Sequence, residues 1–228
     1  MSGTAAPGTH HGNGPVGGDG TVGPRRDAGP LAGWLDSPIV ERIDEIGERW
    51  ADTLRGRPWA DRLFYGLSTA GDHGGVWHAI AVLQALTGRA SWRDGVEFSS
   101  AIGVEAAVLN GPVKLLFRRS RPVVEGERPL HLRTPRTSSF PSGHASSGMF
   151  AATLLAARGG RSWPWYLLGA TIGWSRVHVR IHHPSDVVGG LVAGILLGRI
   201  GASATDSLRR RTGRPPWTDQ GPVGPTRR

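Results

Sequence analysis

The chain has 228 residues, no cysteine and a formal net charge of +9. That length allows one ordinary domain with tails, and the missing cysteines exclude disulfides and zinc-thiolate sites. Of the 27 basic residues only Lys114 is a lysine, so the charge is almost wholly arginine and suits nucleic acid, anionic lipid or an anionic substrate.

Residues 1–37 read as a Gly/Pro-rich arm. Large apolar side chains are almost missing from its first thirty residues, so it cannot bury enough surface to offset chain entropy, and disorder is expected. Its His10–His11 pair reads as solvated, and no cleavable signal peptide is apparent. Residues 38–62 read as an amphipathic helix. Ile39, Ile43, Ile46, Trp50 and Leu54 recur at three- or four-residue spacing between charged residues. Such a helix either lies on a membrane surface or packs on the rest of the domain.

Residues 63–204 carry five apolar stretches, at 74–88, 98–117, 137–157, 162–175 and 187–198. Ala, Leu and Gly dominate and strict alternation is missing, so all five read as helices. None is a clean run of about 20 apolar residues, which is what a spanning helix needs. A soluble helical enzyme is therefore the competing interpretation. Two features favour the bilayer. Gly190, Gly194 and Gly198 form a small-residue stripe, repeated at Gly169 and Gly173, of the kind that lets helices approach closely in lipid. Trp59, Trp92, Trp163 and Trp165 fall near helix ends, as an interfacial belt requires. The stripe reads as packing inside the bundle and leaves a homo-oligomer open. Arginines lie on both sides, so orientation is not set. Residues 205–228, with Arg209-Arg210-Arg211 and Pro215-Pro216, read as a basic disordered tail. The expected fold is all-α: a membrane-embedded bundle of about five core helices plus the N-terminal amphipathic helix.

The chemistry is concentrated in three blocks: Lys114-x6-Arg121-Pro122, then Pro141-Ser142-Gly143-His144, then Ser175-Arg176-x5-His182-x3-Asp186. A transferring phosphoryl group spreads negative charge over its oxygens, so fixed cations and backbone donors supply most of the catalysis. Arg121 and Arg176 offer planar forks, Lys114 a compact ammonium, Ser142 a hydroxyl, and Gly143 a backbone N–H that no Cβ obstructs. Arg118, Arg119, Arg128, Arg133 and Arg136 lie outside the block spacing and read as solvated. Pro184 suits the first turn of a helix. Asp186 in that turn can reach back to His182, fix its tautomer and present Nε2 as a nucleophile. His183 and His178 flank this pair, and His178 is a weaker candidate for the pocket lining. No metal-ligand set or carboxylate cluster is evident, and no cofactor is expected.

In order and spacing these blocks resemble the type 2 phosphatidic acid phosphatase (PAP2) superfamily, which also holds bacterial class A acid phosphatases and vanadium haloperoxidases. The resemblance covers about residues 63–204. The flanks Ser68-Thr69-Ala70-Gly71-Asp72-His73 and Thr137-Ser138-Ser139-Phe140 look like those of actinobacterial membrane members. His183 departs from the aromatic residue usual after the nucleophile. The resemblance implies a metal-independent phosphatase for a lipid phosphate or diphosphate, polyprenyl-linked or phosphatidic acid-like. His182 would form a phosphohistidine, and His144 would protonate the leaving oxygen and then activate water. Its partners would be the lipid substrate and membrane lipids, not nucleic acid, and its place the cell membrane as a multi-pass protein. The alternatives are a vanadate-dependent haloperoxidase and a non-enzymatic lipid-phosphate-binding relative.

Overall fold

The computed structural model describes residues 29–124, 128–130, 132 and 137–217. His10, His11, His131, Arg133 and Arg136 lie outside the described residues. Among those described, the chain is helical and contains no strand.

The expected helix over 38–62 is two helices. Helix α1 (Pro38–Asp52) starts on Pro38, which suits a first turn because its missing N–H needs no partner there. It ends before Gly56, which has a φ of +78°. Pro58 then opens α2 (Pro58–Ala70). Proline cannot continue a preceding helix, so the break is local chemistry. Val40, Gly47 and Ala51 face inward from α1, while Ile39 and Trp50 stay exposed.

A 3-10 turn (Asp72–Gly74) follows, with His73 at a φ of +53°, and leads into α3 (Gly75–Leu86). Helix α4 (Trp92–Val108) opens on a capping box between Ser91 and Asp94. It continues through a π turn (Leu109–Val113) into α5 (Lys114–Phe117). Pro112 lies inside that turn and lacks the N–H an α-helix would use; the wider π turn accommodates it. Arg118, at a φ of +47°, ends α5 and redirects the chain.

Helix α6 (Gly143–Ala157) is the axis of the bundle, with ten of its fifteen residues buried. Helix α7 (Trp163–His178) and helix α8 (Pro184–Arg211) pack on it most extensively. The glycine stripe explains how closely. A Cβ at Gly190 would strike Ala145 at 2.9 Å, one at Gly194 would strike Met149 at 2.8 Å, and one at Gly198 would strike Thr153 at 2.7 Å. The stripe is thus used inside the chain's own bundle.

Both expected tails include described residues that are ordered. Residues 29–36 dock on α5, where Leu31 N–H donates to Leu116 O at 2.9 Å. At the other end, α8 runs on to Arg211, and Trp217 is 1% exposed. The cause is charge matching. Arg209 donates to Asp94 Oδ1 at 2.6 Å and to Glu97 Oε2 at 2.8 Å, and Arg214 pairs with the same two carboxylates. Arg158 lies over the Trp217 ring, 4.0 Å from its centroid. Arg209 and Arg214 of the expected solvated tail instead clamp the end of the bundle remote from α6's N-terminus, while Arg210 and Arg211 stay exposed.

The outer surface is apolar. Trp92–Phe117 and Pro184–Arg211 are long and apolar enough to cross a membrane, and little of either is buried. Val96, Val104 and Val108 point outward from α4, and Val188, Val192, Leu196 and Ile200 from α8. A core helix of a soluble protein would bury such residues, and so contiguous an apolar exterior suits lipid.

Candidate active site

The site lies at one end of the bundle, where α5 and α7 end and α6 and α8 begin. A cavity of about 450 Å³ opens there. Lys114, Arg121, Gly143, His144, Arg176 and His182 all line it. The other two expected residues stand directly behind: Ser142 and Asp186 are fully buried. Ser142 N–H donates to Asp186 O at 2.9 Å, which joins the second block to the third.

The nucleophile candidate is held from both sides. His182 Nδ1 is 3.3 Å from Asp186 Oδ2, and Arg121 Nη1 is 3.2 Å from His182 Nε2. Arginine only donates, so Nε2 accepts and the proton sits on Nδ1 facing the carboxylate. Burial pushes His182 down to about 3, against the pull of Asp186. The ring is therefore neutral, and the Nε2 lone pair that here accepts from Arg121 is the one a nucleophile would use once a phosphate takes over that guanidinium.

Three basic residues line the same cavity, and one of them, Arg121, touches that nitrogen. Arg121 is fixed by the carbonyls of Thr137, Ser138 and Ile181 at 3.0–3.3 Å. Burial lowers its pKa, but from so high a starting value that the guanidinium stays charged. Lys114 Nζ is 3.4 Å from Thr137 Oγ1. Arg176 is held by Ser68 Oγ. Four buried atoms here have no hydrogen-bond partner among the described residues: Arg121 Nε, Ser142 Oγ, and Arg176 Nε and Nη2. Buried polar groups are normally paired, so a group of unsatisfied atoms beside one cavity fits an oxyanion. Ser142 begins α6 without capping it, and this leaves its hydroxyl uncommitted.

Several residues of the site were not foreseen. Asp72 Oδ1 is 3.0 Å from His144 Nε2 and 3.9 Å from Arg176 Nη1. Burial opposes ionisation of Asp72, but the His144 hydrogen bond and nearby positive charge outweigh it, and its pKa falls below the ordinary value. Arg119, expected to be solvated, is largely buried and bridges Asp186 Oδ1 at 2.7 Å and Asp44 Oδ2 at 2.6 Å. Its departure has a plain cause: the buried Asp186 carboxylate needs a countercharge. Glu105 accepts from Ser146 and Ser147, each at 2.5 Å, and locks α4 to the first turns of α6. Arg128 also leaves the solvent, donating to Val179 O at 3.0 Å. His178 lies away from the cavity, paired with Asp61 at 2.8 Å. His73 and His78 line the cavity wall. No group of three His, Asp or Glu side chains is placed to hold a metal among the described residues.

An all-helical bundle with an outward apolar face and a polar cavity lined by basic residues at one end suits a membrane protein with a site for an anionic group. The chain belongs to the PAP2 superfamily, whose family model matches residues 95–209. It is 36% identical to a decaprenylphosphoryl-5-phosphoribose phosphatase of Mycolicibacterium smegmatis over 143 residues, 60% of this chain and 74% of that one. It is 30% identical over 127 residues to undecaprenyl-diphosphatase BcrC of Bacillus subtilis, 54% of this chain and 65% of the relative's length. Among solved structures, a transmembrane PAP2-type phosphatidylglycerolphosphate phosphatase of Bacillus subtilis superposes with a TM-score of 0.58 at 23% identity, covering 79% of this chain and 92% of that one. Aquifex aeolicus LpxE superposes with a TM-score of 0.54 at 26% identity, covering 68% and 92%.

Proposed function

We propose that the protein is a multi-pass membrane phosphatase that hydrolyses a lipid phosphate or diphosphate through a phosphohistidine. The observation that carries this is the His182–Asp186 couple facing a cavity lined by Lys114, Arg121, Arg176 and His144. In the first step His182 Nε2 bonds to phosphorus and the bond to the leaving oxygen breaks. His144 gives that oxygen a proton, while Asp186 steadies the charge on the His182 ring. In the second step His144 takes a proton from water, the water oxygen bonds to phosphorus, and the P–N bond breaks. Lys114, Arg121, Arg176, Ser142 and the Gly143 N–H hold the equatorial oxygens, where negative charge accumulates.

The names of the relatives favour a polyprenyl-linked phosphate or diphosphate over a phosphatidic acid-like lipid. The apolar outer helices would keep the lipid chain in the bilayer and leave its phosphate at the cavity. The test is phosphate release from a panel of lipid phosphates by detergent-solubilised protein. Polyprenyl substrates are expected to turn over fastest, and His182→Ala to abolish release. Wild-type turnover by His182→Ala would rule out the phosphohistidine route. Release is expected to persist in excess EDTA; dependence on added magnesium would overturn the metal-independent reading.

A further inference from the structure

We propose that Asp44 of the amphipathic helix α1 is a positioning residue for the nucleophile, acting through Arg119 on the Asp186–His182 couple. The proposal rests on the phosphohistidine reading above. Asp186 is fully buried, and both its oxygens are committed. Oδ2 faces His182 Nδ1 and accepts the His183 N–H at 2.8 Å. Oδ1 accepts from Arg119 Nη1 at 2.7 Å. The other Arg119 nitrogen, Nη2, donates to Asp44 Oδ2 at 2.6 Å, and Asp44 Oδ1 accepts the Ser185 N–H at 2.8 Å. Arg119 Nη1 also reaches Ser185 Oγ at 2.7 Å.

Asp44 thus holds the first turn of α8 directly at the Ser185 N–H, and reaches the Asp186 carboxylate through Arg119. Helix α1 is seated there sterically too. Gly47 abuts Pro184 so closely that any Cβ would overlap the proline ring. Asp44 lies outside the matched family region, residues 95–209, whereas Arg119 and Asp186 lie inside it, so the strut ties a different part of the chain to the proposed phosphate cage.

The electrostatics give the strut a purpose. Phosphorylating Nε2 puts positive charge on the His182 ring, and Asp186 must offset it. Arg119 alone, pressed against Asp186, would cancel that carboxylate. Asp44 neutralises Arg119 from the far side. The row Asp44, Arg119, Asp186 then carries one net negative charge toward the ring. Removing the Asp44 charge leaves the row neutral where negative charge is needed.

Asp44→Asn is close to isosteric and keeps an oxygen for the Ser185 N–H, so it changes charge with little change of shape. In full-length protein it is expected to lower kcat about tenfold with KM nearly unchanged. Binding of orthovanadate, a phosphate analogue that readily becomes five-coordinate and so mimics a transferring phosphoryl group, is expected to weaken by a similar factor when followed calorimetrically. Asp44→Glu should recover most of both. Adding Asp44→Asn to Arg119→Gln should cost little beyond Arg119→Gln alone. Glu45→Gln, on the exposed side of the same helix, should match wild type. Thermal unfolding in detergent separates misfolding from mispositioning, and Arg119→Lys, which keeps the cation but not the fork, is the second variant should Asp44→Asn not fold.

Wild-type kcat and vanadate affinity in Asp44→Asn would overturn the proposal, as would an effect on KM alone or fully additive losses in the double variant. If no lipid phosphate is hydrolysed by wild type but vanadate affinity still follows Asp44, the lipid phosphatase reading fails and the strut stands.

Discussion

Asp72 lets the two halves of the chemistry be separated by one substitution. It touches His144, not His182, and a carboxylate partner steadies the charge that an acid–base histidine carries during turnover. Asp72→Asn is therefore expected to slow lipid phosphates about 10²-fold, while an aryl phosphate with a good leaving group, which needs little protonation, should lose much less. Equal losses on both substrates would show that Asp72 only supports the fold. Lys114→Arg tests the lone lysine. Lys114 is buried beside Thr137, where a guanidinium is bulkier, so the variant is expected to fold but lose most of its kcat. His182 also predicts a pH dependence of stability. An unfolded chain binds a proton at histidine below about pH 6.5, whereas the buried ring resists protonation down to about 3. The unfolded state then holds more protons, so stability falls as pH drops from about 6.5 toward 3. In His182→Ala the thermal midpoint should fall less steeply over that window. The residues that gather at the cavity were legible because three short blocks bring their own spacing. Asp72 and Asp44 were not, because each reaches its partner across more than 70 residues of chain.

At the scale of elements, the glycine stripe of α8 is the contact that sets how near α8 lies to α6. Gly194→Leu would drive a side chain into Met149 and the backbone of Ser146, and should cost about 1–3 kcal/mol or more in thermal unfolding. Gly66→Ala in α2, where a Cβ meets nothing within 4 Å, should be neutral or stabilise by up to about 1 kcal/mol. The helices were readable from composition, since Ala, Leu and Gly without alternation leave little else. Their ends were less so. The break between α1 and α2 hinges on Gly56 and Pro58, just past apolar spacing that carries on to Leu54, two residues beyond the end of α1. The order of residues 205–217 depends on Asp94 and Glu97, more than 100 residues away. A basic run reads as solvated until its carboxylate partners are located.

At the scale of the molecule, the bundle is polar at the cavity and at the clamped far end, and apolar around its girth. Exposed Trp59 lies toward the cavity end, and Trp92 and Trp163 toward the other, which is the banding a bilayer imposes. Hydropathy alone left a soluble enzyme open, because no stretch was cleanly apolar for twenty residues. Outward-facing valines and leucines on α4 and α8 carry that distinction, and only the packing identifies which face they occupy.

That apolar girth has a kinetic consequence. On the proposed function a lipid substrate would reach the cavity from the plane of the bilayer, so its effective concentration would be its mole fraction among lipids and not its molarity in the suspension. Adding inert detergent or phospholipid at fixed total substrate should therefore slow turnover in proportion to the dilution of the surface, while doubling the volume of buffer at fixed vesicle composition should leave the rate per enzyme unchanged.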